Sequence, residues 1–199
     1  LKEAARSAHL TPWQFRVASP VPQVGHIYGL GVAGYWGSTI EIEAVVHPLG
    51  NREKGTIHFN DTAGSMARDS VTNASSVGRM ITGKNLSDYD VHVNVVGGGN
   101  IDGPSAGAAI TCAIISALTG KPLRQDIAVT GEISLSGRIK PVGGIAEKAF
   151  GAHQGGMKAI LIPKQNALDM GSEYMHMKVI PVDTIQDILE HMLVRKNRK

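Results

Sequence analysis

Val91-His92-Val93-Asn94-Val95-Val96 runs into Gly97-Gly98-Gly99-Asn100-Ile101-Asp102-Gly103, and then into Pro104-Ser105-Ala106-Gly107-Ala108-Ala109-Ile110-Thr111-Cys112-Ala113-Ile114-Ile115-Ser116-Ala117-Leu118. Valine at every second position marks the first segment as a buried strand. The glycines extend neither a strand nor a helix, so they form a loop. The third segment carries no charge, and it is long enough to be a buried helix. Pro104 suits a first helical turn, where its missing N–H is harmless, and Gly120 and Pro122 end the run.

The same alternation of elements extends outward. Thr39–Val46 alternates apolar and polar residues and predicts a half-buried strand, with Pro48-Leu49-Gly50-Asn51 as a turn and 55–59 as a second strand. Residues 61–82 predict a helix capped by Asp61 or Thr62. Downstream, strands are expected at 126–130, 134–140, 159–162 and 178–180, and helices at 145–153 and 184–193. The fold class is therefore α/β, bordering on α+β, built as one domain on one mixed sheet. Residues 1–24, with a short helical stretch over 1–9 and prolines at 12, 20 and 22, read as an arm or linker. The domain proper spans 25–193, and 194–199 is a basic tail.

Composition narrows the class further. Of 199 residues 42% are hydrophobic but only 5% aromatic, so the core is aliphatic, and 24 glycines imply many turns or close backbone approaches. The charge of +3 sits largely in Arg195-Lys196-Asn197-Arg198-Lys199, so it says little about a nucleic-acid surface. A single cysteine, Cys112, excludes a disulfide framework within the chain and points to a reducing compartment. No apolar run is long enough for a membrane helix, and no signal peptide is visible. A start at Leu1 suggests a piece of something longer.

Two glycine motifs resemble nucleotide sites without the required chemistry. Gly29-Leu30-Gly31-Val32-Ala33-Gly34 matches GxGxxG, but a strand follows where a dinucleotide site needs a helix, so a glycine-rich hairpin or bulge is expected. Gly98–Ser105 approaches the P-loop pattern, but Pro104 stands at the lysine position and removes both the amine and an amide donor. The eight histidines show no close metal-ligand spacing, so neither a metal nor a cofactor is expected.

Asp102-Gly103-Pro104-Ser105-Ala106-Gly107 carries the chemistry. Asp102 or Gly103 would cap the helix, and Ser105 would lie in its first turn between small neighbours. Free amides of that turn can hold a developing negative charge beside a hydroxyl. The other reading of the same residues is that Ser105 merely caps. A nucleophilic serine needs a base, and three residues are candidates: His92, Lys140 and Lys148. Lys148 lies among Ile145, Ala146, Ala149 and Phe150, a setting that disfavours an ammonium.

Taken together, the chain resembles the proteolytic domain of Lon proteases over roughly residues 25–193. Four blocks match in order: Asp102–Gly107, Thr130-Gly131-Glu132, Gly137-Arg138-Ile139-Lys140-Pro141-Val142-Gly143-Gly144, and Ile145-Ala146-Glu147-Lys148. The 43-residue interval from Ser105 to Lys148 also fits the family's serine–lysine dyad. Two positions depart from the family pattern: Asn94 stands where a second histidine is common, and no lysine precedes the Asp-Gly-Pro-Ser segment.

The resemblance implies Ser105 as nucleophile, Lys148 as general base, Thr130 as the hydroxyl that orients the amine, and Asp102 as a partner for the lysine at rest. Glu132 and His92 are weaker carry-overs. It further implies an endopeptidase acting on unfolded or damaged protein, a hexameric ring, a cytoplasmic location, and ATP and Mg only where an ATPase module is attached. The Asp-Gly-Pro-Ser-Ala-Gly form resembles soluble bacterial members more than membrane-anchored archaeal ones. The alternative is a non-catalytic Lon-like scaffold of a DNA-repair or competence ATPase, against which Ser105, Thr130 and Lys148 argue. A nucleic-acid-binding module of similar fold would rest on the basic balance alone.

Overall fold

A computed structural model of the chain describes residues 21–33, 35–50, 54–59, 65–96 and 103–194. The elements, in order, are β1 (His26–Ala33), β2 (Trp36–Pro48), β3 (Ile57–Phe59), α1 (Ser65–Thr82), β4 (Tyr89–Val96), and α2 (Gly107–Thr119), the last entered through a 3-10 turn at Pro104–Ala106. There follow β5 (Ile127–Val129), β6 (Glu132–Ile133), β7 (Ile139–Lys140), α3 (Ile145–Gln154), β8 (Ala159–Pro163), β9 (Glu173–Tyr174), β10 (Met177–Val182) and α4 (Ile185–Met192). The expected helix at 1–9, the caps Asp61 and Thr62, the loop residues 97–102 and the tail residues 195–199 lie outside the described residues.

Eight strands form one sheet in the order β3-β4-β2-β1-β5-β8-β10-β9. The run β1-β5-β8-β10 is parallel, as is β3-β4, whereas β1-β2, β2-β4 and β9-β10 are antiparallel. The mixed sheet expected from the sequence is therefore present. Alternation along the strands assigns their faces. Ile27, Ile127, Val129 and Leu161 join Val91, Val93 and Val95 under α1, α2 and α4. Tyr28, Leu30, Ala128, Ile160 and Ile162 pack on the opposite face with Ala149 and Ala152 of α3. Helix α2 is buried almost all round, as a helix without charges must be. Gly120 ends it in the left-handed conformation at φ 63°.

Residues 29–33 of the GxGxxG match lie in β1 and pair antiparallel with β2, in agreement with the expected glycine-rich hairpin. Two local expectations need correction. The strand expected at 134–140 is a separate two-stranded ribbon, β6 with β7, closed by a turn. Gly137 (φ 76°) makes that turn, its amide bonding the Ser134 carbonyl while the Ser134 amide bonds the Arg138 carbonyl. The short β9, antiparallel to β10, was not foreseen.

Helix α3 sits directly on the backbone of the hairpin. A Cβ on Gly37 would lie 1.7 Å from the Glu147 carbonyl oxygen, and one on Gly151 would lie 2.3 Å from the Gly37 carbonyl carbon. Neither glycine has a positive φ, so the requirement is close approach alone. Gly37→Ala is expected to destabilise the fold by about 1–3 kcal/mol or more, because backbone must move. Gly50→Ala, where nothing lies within 4 Å, is the control. Thermal denaturation checks both; an unchanged Tm in Gly37→Ala would contradict this seating of α3.

Candidate active site

The turn that carries Ser105 is short and fixed from outside. Gly103 is its N-terminal cap, extended at φ −118° and ψ 161°, and it offers no side-chain acceptor. Pro104 takes the first turn, as its locked φ favours. With no capping side chain, the first amides of the turn are not shielded by one. Ser105 is half-buried, while Ala106 beside it is buried.

The segment after β5 holds that turn in place. The Gly131 amide donates to the Ser105 carbonyl at 2.9 Å, and the Ala108 amide donates to the Gly131 carbonyl at 3.0 Å. Thr130, fully buried, donates its hydroxyl to the same Ser105 carbonyl at 3.3 Å, which leaves the lone pairs of Oγ1 available to a donor. Gly107 lets α2 come this close without crowding, since a Cβ there would meet the Ile133 side chain at 3.0 Å.

Lys148 approaches from the other face. It lies in the first turns of α3 and is only 4% exposed. Burial pulls its pKa from 10.5 down to about 8, against the opposing charge of Glu147. Among the described residues no side chain forms an ion pair with its amine. The capping Gly144 of α3 lies against Val32 near the end of β1, and Thr130 follows the end of β5. Because β1 and β5 are parallel, with Gly29 opposite Val129, both features lie at the same, carboxyl-terminal end of the sheet. That is where open α/β sheets place their sites.

The remaining candidates fall elsewhere. Glu132 is half-buried on β6, directly opposite Lys140 in the β6–β7 register. Lys140 is exposed, so it lacks the apolar surroundings that Lys148 has. His92 is exposed on β4, and its ring contacts are with His47 and His58. Asp102 lies outside the described residues. Cys112 is fully buried in α2, where burial pushes its thiol far up and keeps it protonated. Gly37 and Gly151, which seat the lysine, were missed by sequence reasoning. Their only signal was the high glycine content.

Comparison with known proteins agrees with this arrangement. Residues 9–195 match the family model of the Lon protease (S16) C-terminal proteolytic domain, and the chain belongs to that family. An archaeal Lon protease of Pyrococcus abyssi is 35% identical over 89% of this chain. Lon protease 2 of Bacillus subtilis is 38% identical over 94%, and an archaeal Lon protease of Archaeoglobus fulgidus is 37% identical over 88%. The chain spans 18%, 36% and 30% of the length of these relatives, respectively. Archaeal and bacterial relatives thus match about equally well, and identity does not favour the bacterial branch suggested by the Asp-Gly-Pro-Ser-Ala-Gly form. No helix among the described residues is long and apolar enough to cross a membrane.

Burial of Lys148, whose amine forms no ion pair among the described residues, disfavours its charged form and so costs the domain stability. In the unfolded chain it titrates near 10.5 and in the folded domain near 8, so between these values the unfolded state binds more protons. The penalty is fully present below pH 8 and fades as pH rises toward 10.5. Lys148→Met is therefore expected to raise Tm, more at pH 7 than at pH 10. Equal or lower stability at pH 7 would contradict the burial of an unpaired charge.

Proposed function

We propose that this domain is an endopeptidase in which Ser105 is the nucleophile and Lys148 the general base. The observation that carries the reading is the buried Lys148, with no carboxylate partner among the described residues and a pKa lowered to about 8. An amine free in water is almost wholly protonated near neutrality and cannot take a proton from serine. At pH 8 about half of Lys148 is the neutral amine.

The chemistry follows the sequence of acyl transfer. Ser105 Oγ attacks the carbonyl carbon of a peptide bond as its proton passes to Lys148 Nζ. The carbonyl oxygen becomes negative and is taken by amides at the start of the Pro104–α2 helix, where the helix dipole also favours it. Collapse breaks the C–N bond, the leaving amine receives the proton from the ammonium, and an ester remains on Ser105. Lys148 then deprotonates a water, which hydrolyses the ester and frees the enzyme. Thr130 fixes the Ser105 carbonyl and offers its oxygen to a lysine N–H, which orients the lone pair toward Ser105. No step needs a metal or cofactor. Asp102 serves as the carboxylate that holds the lysine at rest, and Glu132 and His92 have only supporting roles.

The family of the relatives extends the proposal to the whole protein. Its substrates are unfolded or damaged proteins, its assembly is a hexameric ring with enclosed sites, and its location is the cytoplasm. ATP and Mg enter only through an ATPase module outside this domain.

An unstructured fluorogenic peptide tests the reading. Ser105→Ala is expected to abolish cleavage with an unchanged circular dichroism spectrum, and Lys148→Arg is expected to do the same, since guanidinium stays protonated. Lys140→Arg should keep activity. In the unmodified domain kcat/KM should rise with pH along one basic limb centred near 8. Cleavage by a folded Lys148→Arg variant would remove Lys148 as the base. Thr130→Val is expected to lower kcat more than it raises KM, by about tenfold for a lost hydrogen bond of roughly 1.4 kcal/mol; a change in KM alone would contradict an orienting role.

A further inference from the structure

The histidines, which show no metal spacing along the chain, are brought together by the sheet. Strands β3 and β4 run parallel with His58 directly opposite His92, and the two rings stack at 4.5 Å with 14° between their planes. Asp90 and His92 are two residues apart on β4 and so point to the same face. The β2–β4 register places His47 opposite Asp90, and its ring lies 6.0 Å from that of His92. This face is turned away from the buried Val91, Val93 and Val95, and among the described residues no helix covers it here: Val45, His47, His58 and His92 are all exposed.

We propose that His58, Asp90 and His92 form a site for a borderline divalent transition-metal ion of the zinc class, with His47 as a flanking imidazole. The ligand atoms of the three residues already lie within 4.8 Å of one another. A tetrahedral ion with bonds of about 2.0–2.1 Å needs them about 3.3 Å apart, an adjustment that exposed side chains make by small rotations. Two imidazoles and one carboxylate suit zinc, cobalt, nickel or copper, whereas calcium and magnesium prefer all-oxygen sites. Water or His47 completes the coordination.

The surroundings are those of an oriented site. The Thr56 hydroxyl donates to Asp90 Oδ1 at 2.8 Å and lies 2.8 Å from His58 Nε2, while the Thr56 amide donates to the same oxygen at 3.2 Å. One residue thus holds two of the three ligands, as outer-shell groups do in metal sites. The other grouping of this kind among the described residues, His26 with Glu41 and Glu43, is already spent. Both ring nitrogens of His26 are engaged, by Gln125 Oε1 at 2.5 Å and Glu41 Oε1 at 2.6 Å. An ion on the first site would clamp β3 to β4, the strand that leads toward the Ser105 turn.

Calorimetric titration of the domain with zinc, and with cobalt followed by visible absorption, tests the site without recourse to activity. One saturable zinc site is expected, with the intense absorption of tetrahedral cobalt, a rise in Tm on zinc addition, and no response to magnesium. His58→Ala and His92→Ala should each weaken binding by about tenfold or more, and Thr56→Val by about tenfold. His176→Ala, at an exposed histidine beside Glu173, should change nothing. His92→Gln serves as the conservative variant should the alanine disturb the sheet. Absence of saturable binding below millimolar zinc, or zinc binding unchanged in a folded His58→Ala/His92→Gln double variant, would overturn the proposal.

Discussion

The burial of one lysine amine, with no ion-pair partner among the described residues, is the constraint around which this domain is arranged. Such a group is unfavourable in isolation, and the fold accepts it because the packing around it leaves no alternative. Helix α3 is pressed onto the hairpin where Gly37 and Gly151 remove both Cβ atoms, and the first turns of the helix are drawn against β1 and β2. A lysine at position 148 is thereby left only 4% exposed. Loosening that contact would expose the amine and return its pKa toward 10.5, so a glycine pair acts on proton affinity through packing alone.

The nucleophile side is built by hydrogen bonding instead. Gly131 and Thr130 both donate to the Ser105 carbonyl, and the Ala108 amide ties the start of α2 back to Gly131. The Ser105 turn is thereby fixed to the end of β5. The parallel pairing of β1 with β5 aligns that anchor with the Val32–Gly144 contact of α3. The Ser105 turn and the start of α3, packed on opposite faces of the sheet, thus both lie at its carboxyl-terminal end. A membership in the Lon proteolytic-domain family accords with this arrangement.

Much of this was legible in the residues, and the reason differs by element. Helix α2 was readable because it lacks charge entirely, and α4 because Thr184 and Asp187 form a capping box. The parallel strands β5, β8 and β10 showed as short apolar runs. Strand β1 was obscured by its own glycines, which suggest turns although their role is to admit neighbouring side chains such as Ile40 and Ile42. The break between β6 and β7 was hidden because Ser134–Arg138 has no proline to announce the turn. Chain chemistry alone left His92, Lys140 and Lys148 as rival bases. Only tertiary packing distinguishes them, with Lys148 buried and the other two exposed. Likewise His58, Asp90 and His92 come together through strand register, which linear spacing does not encode.

The central claim concerns the protonation of one amine, and that can be measured directly. With the lysine side chains labelled with 13C and Lys148 assigned through the Lys148→Met variant, the Cε resonance of Lys148 can be followed from pH 6 to 11 by NMR. A midpoint near 8, well separated from the remaining lysines, is the result this account requires. A midpoint near 10.5, together with the others, would show a solvated ammonium at neutral pH and contradict its role as the base.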